Sequence, residues 1–373
     1  MPSIHPLARR RVFSACKRLL PTGHRCLSTA PFSLRPLADG PTHFGREVVG
    51  LDLASDALPA SELVAALYEH GLLLIRGTQH LTPDHEMRFA RLFTHQPDDA
   101  GQSYTGGAGT QHRLPEFPSI ALVGTYAVED FHGLTASSPG VYSGWHPEQR
   151  AWHCDGLADT DPPPDLTTMR CLRTPSAGGE TLFACSVKAA ELLPPTLRPP
   201  PDDVTVHYRL FGRYEIAREG THLLSASGAK GEGEQAWDVN LAGGTRVPLV
   251  VREPVSGKRA LVGSYHVAAL SVAGGGEGGE GGEGGEGGGR QLGFAAANAY
   301  VAAAWAPGLA PELVYAHRWR VGDLVAWSNR LVIHTATSTS AYASTGTGGA
   351  PRSCGLAHAA PRVPLPVSAL TRG

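Results

Sequence analysis

The chain has 373 residues, 42% hydrophobic and 18% charged, with Lys+Arg 32 against Asp+Glu 34 and a net charge of -2. That length holds one large domain or two small ones, and the composition is not that of a disordered chain. No basic excess invites nucleic acid, and the longest apolar run, 295–306, stops at Pro307, short of the roughly 20 residues of a membrane helix.

Residues 1–38 contain seven Lys or Arg and no Asp or Glu. Val12, Ala15, Cys16 and Leu19 fall on one helical face, with Arg10 and Lys17 opposite. This is the pattern of a disordered, cleavable organelle transit peptide, and Arg25-Cys26-Leu27-Ser28-Thr29 reads as a mitochondrial processing site, with a plastid address as the alternative. Taking those seven positive charges from the net -2 leaves -9, which turns the remaining chain away from nucleic acid and anionic membranes.

Residues 39–373 read as a single domain. The pattern predicts a strand over 48–53, a helix over 59–70, a buried strand over 72–76, and a helix from Thr82-Pro83-Asp84 through Phe93. Residues 94–145, rich in Gly, Pro and His, read as a long loop over a site. From Trp152 onward short strands dominate, at 167–172, 180–184, 246–252, 259–263, 323–327, 331–336 and 353–358, with a short helix at 186–193. Many short strands at that spacing predict a mainly β fold with flanking helices, of the barrel or jelly-roll kind. The Gly/Glu repeat at 274–289 has nothing to bury and reads as a surface insertion. The six cysteines form no C-x-x-C pair and read as reduced, separate thiols.

Three features carry chemistry. In Trp152-His153-Cys154-Asp155-Gly156, strand geometry would put His153 and Asp155 on one face and Cys154 on the other. An imidazole beside a carboxylate is two-thirds of a facial triad for non-haem Fe(II), and a distant histidine completes it. His334, in an apolar strand after Gly322-Asp323-Leu324-Val325, supplies that candidate. Arg352, opening a later strand, offers a planar fork for a carboxylate. Read singly, each is equally an ordinary surface pair, a core histidine or a surface charge.

Together, these features resemble the TauD/TfdA family of Fe(II)- and 2-oxoglutarate-dependent dioxygenases. The resemblance spans 43–358 in blocks: Phe44 to Leu53, His70 to Gly77, Trp152 to Gly156, Thr174 to Phe183, and Gly322 through His334. It implies a double-stranded β-helix, with Fe(II) held by His153, Asp155 and His334. 2-Oxoglutarate and O2 would be the cosubstrates, with Thr181 and Arg352 on the 2-oxoglutarate carboxylate. A small organic substrate would be hydroxylated, with release of succinate and carbon dioxide. Four residues beyond Arg352, taurine dioxygenases place a second Arg for the sulfonate; here Leu356 stands there, so the resemblance gives taurine no support. Trp145, His146, Trp152 and, more weakly, His112 are substrate-side candidates, each equally readable as a packing residue. A silent jelly-roll binding protein and a zinc hydrolase with the same ligands are the competing readings. Nucleic acid and membrane are not expected partners, and a homo-oligomer is left open.

Overall fold

The computed structural model describes residues 31–93, 112–123, 127–136, 152–157, 164–174, 178–208, 244–263, 267–273 and 291–337, and the backbone of 355–359. Strand β1 (Ser33–Arg35) runs antiparallel to β2 (Arg46–Val49), with Leu34 opposite Val48. Phe32 and Leu37 on either side of β1 are buried. Residues 31–38, the end of the segment whose basic composition reads as a disordered leader, are thus part of the fold: apolar side chains there have a sheet edge to cover.

Helix α1 (Ala60–His70) buries Leu63, Ala66 and Leu67, the i, i+3, i+4 stripe of an amphipathic helix. It ends at Gly71, whose φ of +75° suits a residue without Cβ, and whose N–H donates to Leu67 O at 2.6 Å. The chain reverses directly into β3 (Leu72–Ile75), parallel to β2. All four β3 residues are buried because both faces are covered: Leu73 and Ile75 meet the helices, while Leu72 and Leu74 face the interior between sheets. Helix α2 (Pro83–Arg91) opens with Pro at its first position, and Thr82 N–H donates to His85 Nδ1 at 3.1 Å.

Within the loop expected over 94–145, the described residues form four strands: β4 (His112–Leu114), β5 (Phe117–Val123), β6 (Val128–Phe131) and β7 (Leu134–Ala136). β4, β6 and β7 have three or four residues each, and the seven of β5 run Phe117-Pro118-Ser119-Ile120-Ala121-Leu122-Val123 without alternation, so no single stretch carries a clear period. Then come β8 (Leu166–Arg173), β9 (Thr181–Cys185), α3 (Ser186–Glu191) and β10 (Val204–Tyr208). The single strand expected over 246–252 is two, β11 (Thr245–Pro248) and β12 (Val250–Arg252), which leave in different sheets. The remainder is β13 (Arg259–Leu261), β14 (Val267–Val272), β15 (Gln291–Leu292), α4 (Phe294–Trp305), β16 (Val314–His317), β17 (Leu324–Ser328), β18 (Val332–Ala336) and β19 (Gly355–Ala359).

The largest sheet has the order β1-β2-β3-β17-β8-β19-β5-β4. Smaller sheets are β16-β9-β18 and β11-β10-β14-β15. One core lies between the large sheet and helices α1 and α2, where Glu86 of α2 also pairs with Arg170 of β8. A second joins the large sheet to the three-stranded one, with Val325, Trp327, Met169 and Cys171 meeting Phe183, Tyr315 and Val332. A third packs α4 against β10 and β14. Each large apolar side chain so enclosed stabilises the fold by about 1.5–3 kcal/mol. Among the described residues no helix is long and apolar enough to cross a membrane. The architecture is mostly β with few helices.

Candidate metal centre

His334 lies mid-strand in β18, opposite Phe183 of β9, and is 5% exposed. Its ring sits 4.9 Å from Trp327 and 6.0 Å from Phe183, so two aromatic neighbours limit its rotation. His153 joins it through an isolated antiparallel bridge: each backbone N–H donates to the other's carbonyl at 2.9 Å, and the imidazoles stand 4.3 Å apart. Two residues some 180 positions apart in sequence are thus brought together by two main-chain hydrogen bonds.

The segment around His153 is a single bridge and not the regular strand that the alternation argument assumed. Cys154 still turns away. Its N–H donates to Gly263 O at 3.0 Å, and its side chain is buried in the α4 core. Burial pushes that thiol up to about 12, which leaves it un-ionised and structural at neutral pH. Gly156, with φ +68°, then turns the chain. Asp155, before it, is directed by neighbours rather than by strand alternation. Its N–H donates to Asn329 Oδ1 at 3.2 Å, and its Oδ2 accepts from Thr167 Oγ1 at 2.5 Å.

Asp155 Oδ1 lies 3.5 Å from His153 Nε2 and 3.6 Å from His334 Nε2. One donor atom from each of the three residues lies within 4.8 Å of the others. Two neutral imidazoles and one carboxylate, converging from one side, form a donor set suited to a divalent first-row metal that keeps open positions.

Thr181 opens β9, two residues before Phe183, so it shares the inner face that carries His334. Its hydroxyl accepts from Trp319 Nε1 at 3.0 Å. Behind it runs a buried chain. Tyr315 Oη meets His317 Nδ1 at 2.8 Å, His317 Nε2 faces Asp323 Oδ2 at 3.3 Å, and Arg76 reaches Asp323 at 2.8 Å. Burial lowers the pKa of His317, with Asp323 opposing. For Asp323 burial works upward, but His317, the Arg320 N–H and Arg76 outweigh it and hold the carboxyl low.

The turn between β17 and β18 is fixed by a second buried group. Arg330 Nε faces Asp165 Oδ1 at 2.9 Å, its Nη1 faces Glu253 at 3.7 Å, and Tyr68 donates to Asp165 Oδ2 at 3.0 Å. Asn329 N–H donates to Asp165 O at 2.8 Å.

Of the residues singled out in the sequence, His153, Asp155 and His334 converge, and Thr181 joins their face. Arg352, Trp145 and His146 lie outside the described residues. Trp152 is buried in the α4 core, the packing reading of that residue. His112 falls in β4, at one edge of the large sheet, and Leu356 pairs in register with Cys171. Thr167, Asn329 and Trp319 were not anticipated. None of the three stands out in the sequence, since Thr167 is followed by Thr168 and Asn329 lies between Ser328 and Arg330.

Residues 33–351 match the family described as "Taurine catabolism dioxygenase TauD, TfdA family". The chain belongs to this family. Among its curated relatives is pentalenolactone F synthase of Streptomyces avermitilis, 27% identical over 302 residues, covering 78% of this chain and 84% of the relative. Another is the alpha-ketoglutarate-dependent 2,4-dichlorophenoxyacetate dioxygenase of Cupriavidus pinatubonensis, 26% identical over 298 residues, covering 78% and 87%. A solved structure, AAD-2 in complex with Mn(II) and N-oxalylglycine, has a TM-score of 0.56 at 18% identity, covering 92% of this chain and 99% of that one; it supports the fold. TauD/TfdA dioxygenases use Fe(II), 2-oxoglutarate and O2, and the chain is a 2-oxoglutarate-dependent dioxygenase by membership. The donor set fits: two imidazole nitrogens and one carboxylate oxygen are the ligands non-haem Fe(II) takes in oxygenases. Family membership thereby decides against the silent-fold and zinc-hydrolase readings, which the donor set alone left open.

Proposed function

We propose that this dioxygenase holds Fe(II) through His153, Asp155 and His334 and hydroxylates a small organic substrate at a C–H bond. Substrate C–H, O2 and 2-oxoglutarate give C–OH, succinate and carbon dioxide. Where the new hydroxyl sits on a carbon bearing oxygen, sulfur or nitrogen, the product collapses and that bond breaks. The observation that carries the reading is the convergence of the three donor atoms within 4.8 Å in a chain of this family.

Bound there, Fe(II) supplies oxygen activation coupled to oxidative decarboxylation of 2-oxoglutarate. The chain's own residues do the rest. Phe183 and Trp327 wall one side of the centre and keep water from it. Thr181 Oγ1 accepts the indole proton of Trp319, so its own proton is free to be donated to a 2-oxoglutarate carboxylate oxygen. Arg352 pairs with that carboxylate through its guanidinium fork. Leu356 gives a sulfonate no cationic partner, which favours substrates other than taurine. We read the packed sheets as the two halves of a double-stranded β-helix with the centre at its mouth, a reading the mostly β architecture supports. The basic leader, by composition, is a mitochondrial address; fused ahead of a fluorescent protein, residues 1–30 should direct it to mitochondria, and a cytosolic or plastid signal would remove that assignment.

Succinate release tests the function. Protein loaded with Fe(II) should form succinate from 2-oxoglutarate under O2, faster with a true substrate than with taurine. Thr181→Val removes one hydrogen bond to a charged group, worth about 1.5–3 kcal/mol, so the KM for 2-oxoglutarate should rise roughly 10- to 100-fold, with kcat falling less. No succinate from folded, iron-loaded protein would refute the function. An unchanged KM would remove Thr181 from the cosubstrate site.

A further inference from the structure

The hydrogen bonds around Asp155 have a fixed direction. Asn329 Nδ2 donates to Pro164 O at 3.2 Å and to Thr167 Oγ1 at 2.9 Å, while Asn329 Oδ1 accepts the Asp155 N–H at 3.2 Å. A backbone carbonyl only accepts and a backbone N–H only donates, so the amide has one permitted orientation. The Thr167 hydroxyl accepts from Asn329 and has a single proton left to give. That proton goes to Asp155 Oδ2.

Both supports are fixed to the scaffold. Thr167 is fully buried in β8, directly opposite Trp327 in the ladder, and Asn329 is 6% exposed in the turn after β17, its own N–H on Asp165 O. The carboxylate is therefore held in one rotation: Oδ2 faces the Thr167 hydroxyl and Oδ1 faces both imidazoles. A carboxylate free to turn could chelate a metal with both oxygens and close a position that a second bidentate ligand needs.

We propose that Thr167 and Asn329 are positioning residues that make Asp155 a one-oxygen metal ligand, keeping the metal open for the keto acid and O2. The proposal rests on His153, Asp155 and His334 being the metal site, and deepens that reading by naming what sets the carboxylate's mode of binding.

The test uses metal binding rather than turnover. Apo protein is titrated with Mn(II) under anaerobic conditions, and free Mn(II) is read by its electron paramagnetic resonance. Mn(II)-loaded protein is then titrated with N-oxalylglycine. Thr167→Val keeps the shape and removes the proton. Mn(II) binding should weaken about 10- to 100-fold, the usual consequence of losing a hydrogen bond to a ligand. N-oxalylglycine affinity should fall as well, and Thr167→Ser, which restores the hydroxyl, should recover both. Should Thr167→Val not fold, Asn329→Asp keeps the size and gives the Thr167 proton a competing acceptor, with the same two losses expected. Wild-type binding with unchanged constants in a folded variant would overturn the positioning role and leave the metal site standing. A wild-type protein that binds no Mn(II) would overturn both.

Discussion

Asp155→Ala should abolish metal binding and 2-oxoglutarate turnover while leaving the fold intact. Asp155 supplies the negative charge of the cluster, with its Oδ1 3.5 and 3.6 Å from the two imidazole nitrogens. Without it, two neutral nitrogens remain on one side, too few to compete with water for a divalent ion. The loss should exceed the roughly 10- to 100-fold expected when a supporting residue is removed. Structural damage should be limited. Asp155 follows a bridge secured by main-chain bonds between His153 and His334, so the cost is limited to the buried Thr167 hydroxyl left without its acceptor, about 1–3 kcal/mol. Isothermal titration with Mn(II) and an unfolding curve on the same preparation separate the two effects. Retained affinity would remove Asp155 from the ligand set.

Arg330→Met should lower stability by about 3–5 kcal/mol, the range for leaving a buried charge without its partner. Arg330 serves two carboxylates, Asp165 at 2.9 Å and Glu253 at 3.7 Å, whose side chains are 5% and 0% exposed. Glu253 also accepts from Val255 N–H, Ser256 N–H and Ser256 Oγ, so it stays in place when the guanidinium goes. Asp165 keeps only the Tyr68 hydroxyl among the side-chain partners described above. Urea denaturation measures the change. Asp165→Asn in the Arg330→Met background should recover part of it, because one uncompensated charge is then gone. Metal affinity should fall together with stability, since Asn329 hangs from Asp165 O. A loss below about 1 kcal/mol would place this pair with exposed ion pairs.

The three converging residues were legible in the sequence because their chemistry is carried by residue type: an imidazole beside a carboxylate, and a distant histidine in an apolar strand. The helices over 60–70 and 83–91 were legible from period and caps. What was not legible depends on contacts between distant segments. Strand alternation put His153 and Asp155 side by side by the wrong route, since the segment is a single bridge and the carboxylate is held by Asn329 and Thr167. Thr167 and Asn329 carried no signal of their own, because a buried Thr or Asn gains its meaning only from the acceptor it meets. Strands β4, β6 and β7 were hidden by their shortness, and β5 by Pro118 and its lack of alternation. The Val267–Val272 strand and the Phe294–Trp305 helix were hidden by alanine, which fits either state: the strand is buried over its first four residues, and the helix exposes Ala295, Ala296, Ala299 and Ala303, so its outer face carries no polar side chain to mark the period. The leader's basic composition obscured β1, where three residues with Leu34 at their centre are enough to add a strand.

The most direct test of the central claim is the absorption of protein reconstituted anaerobically with Fe(II) and 2-oxoglutarate. The account predicts a weak visible metal-to-ligand charge-transfer band in the wild type, lost in His334→Ala and restored by neither excess iron nor excess 2-oxoglutarate. A folded wild-type protein with no band, or a His334→Ala variant with the wild-type band, would contradict it.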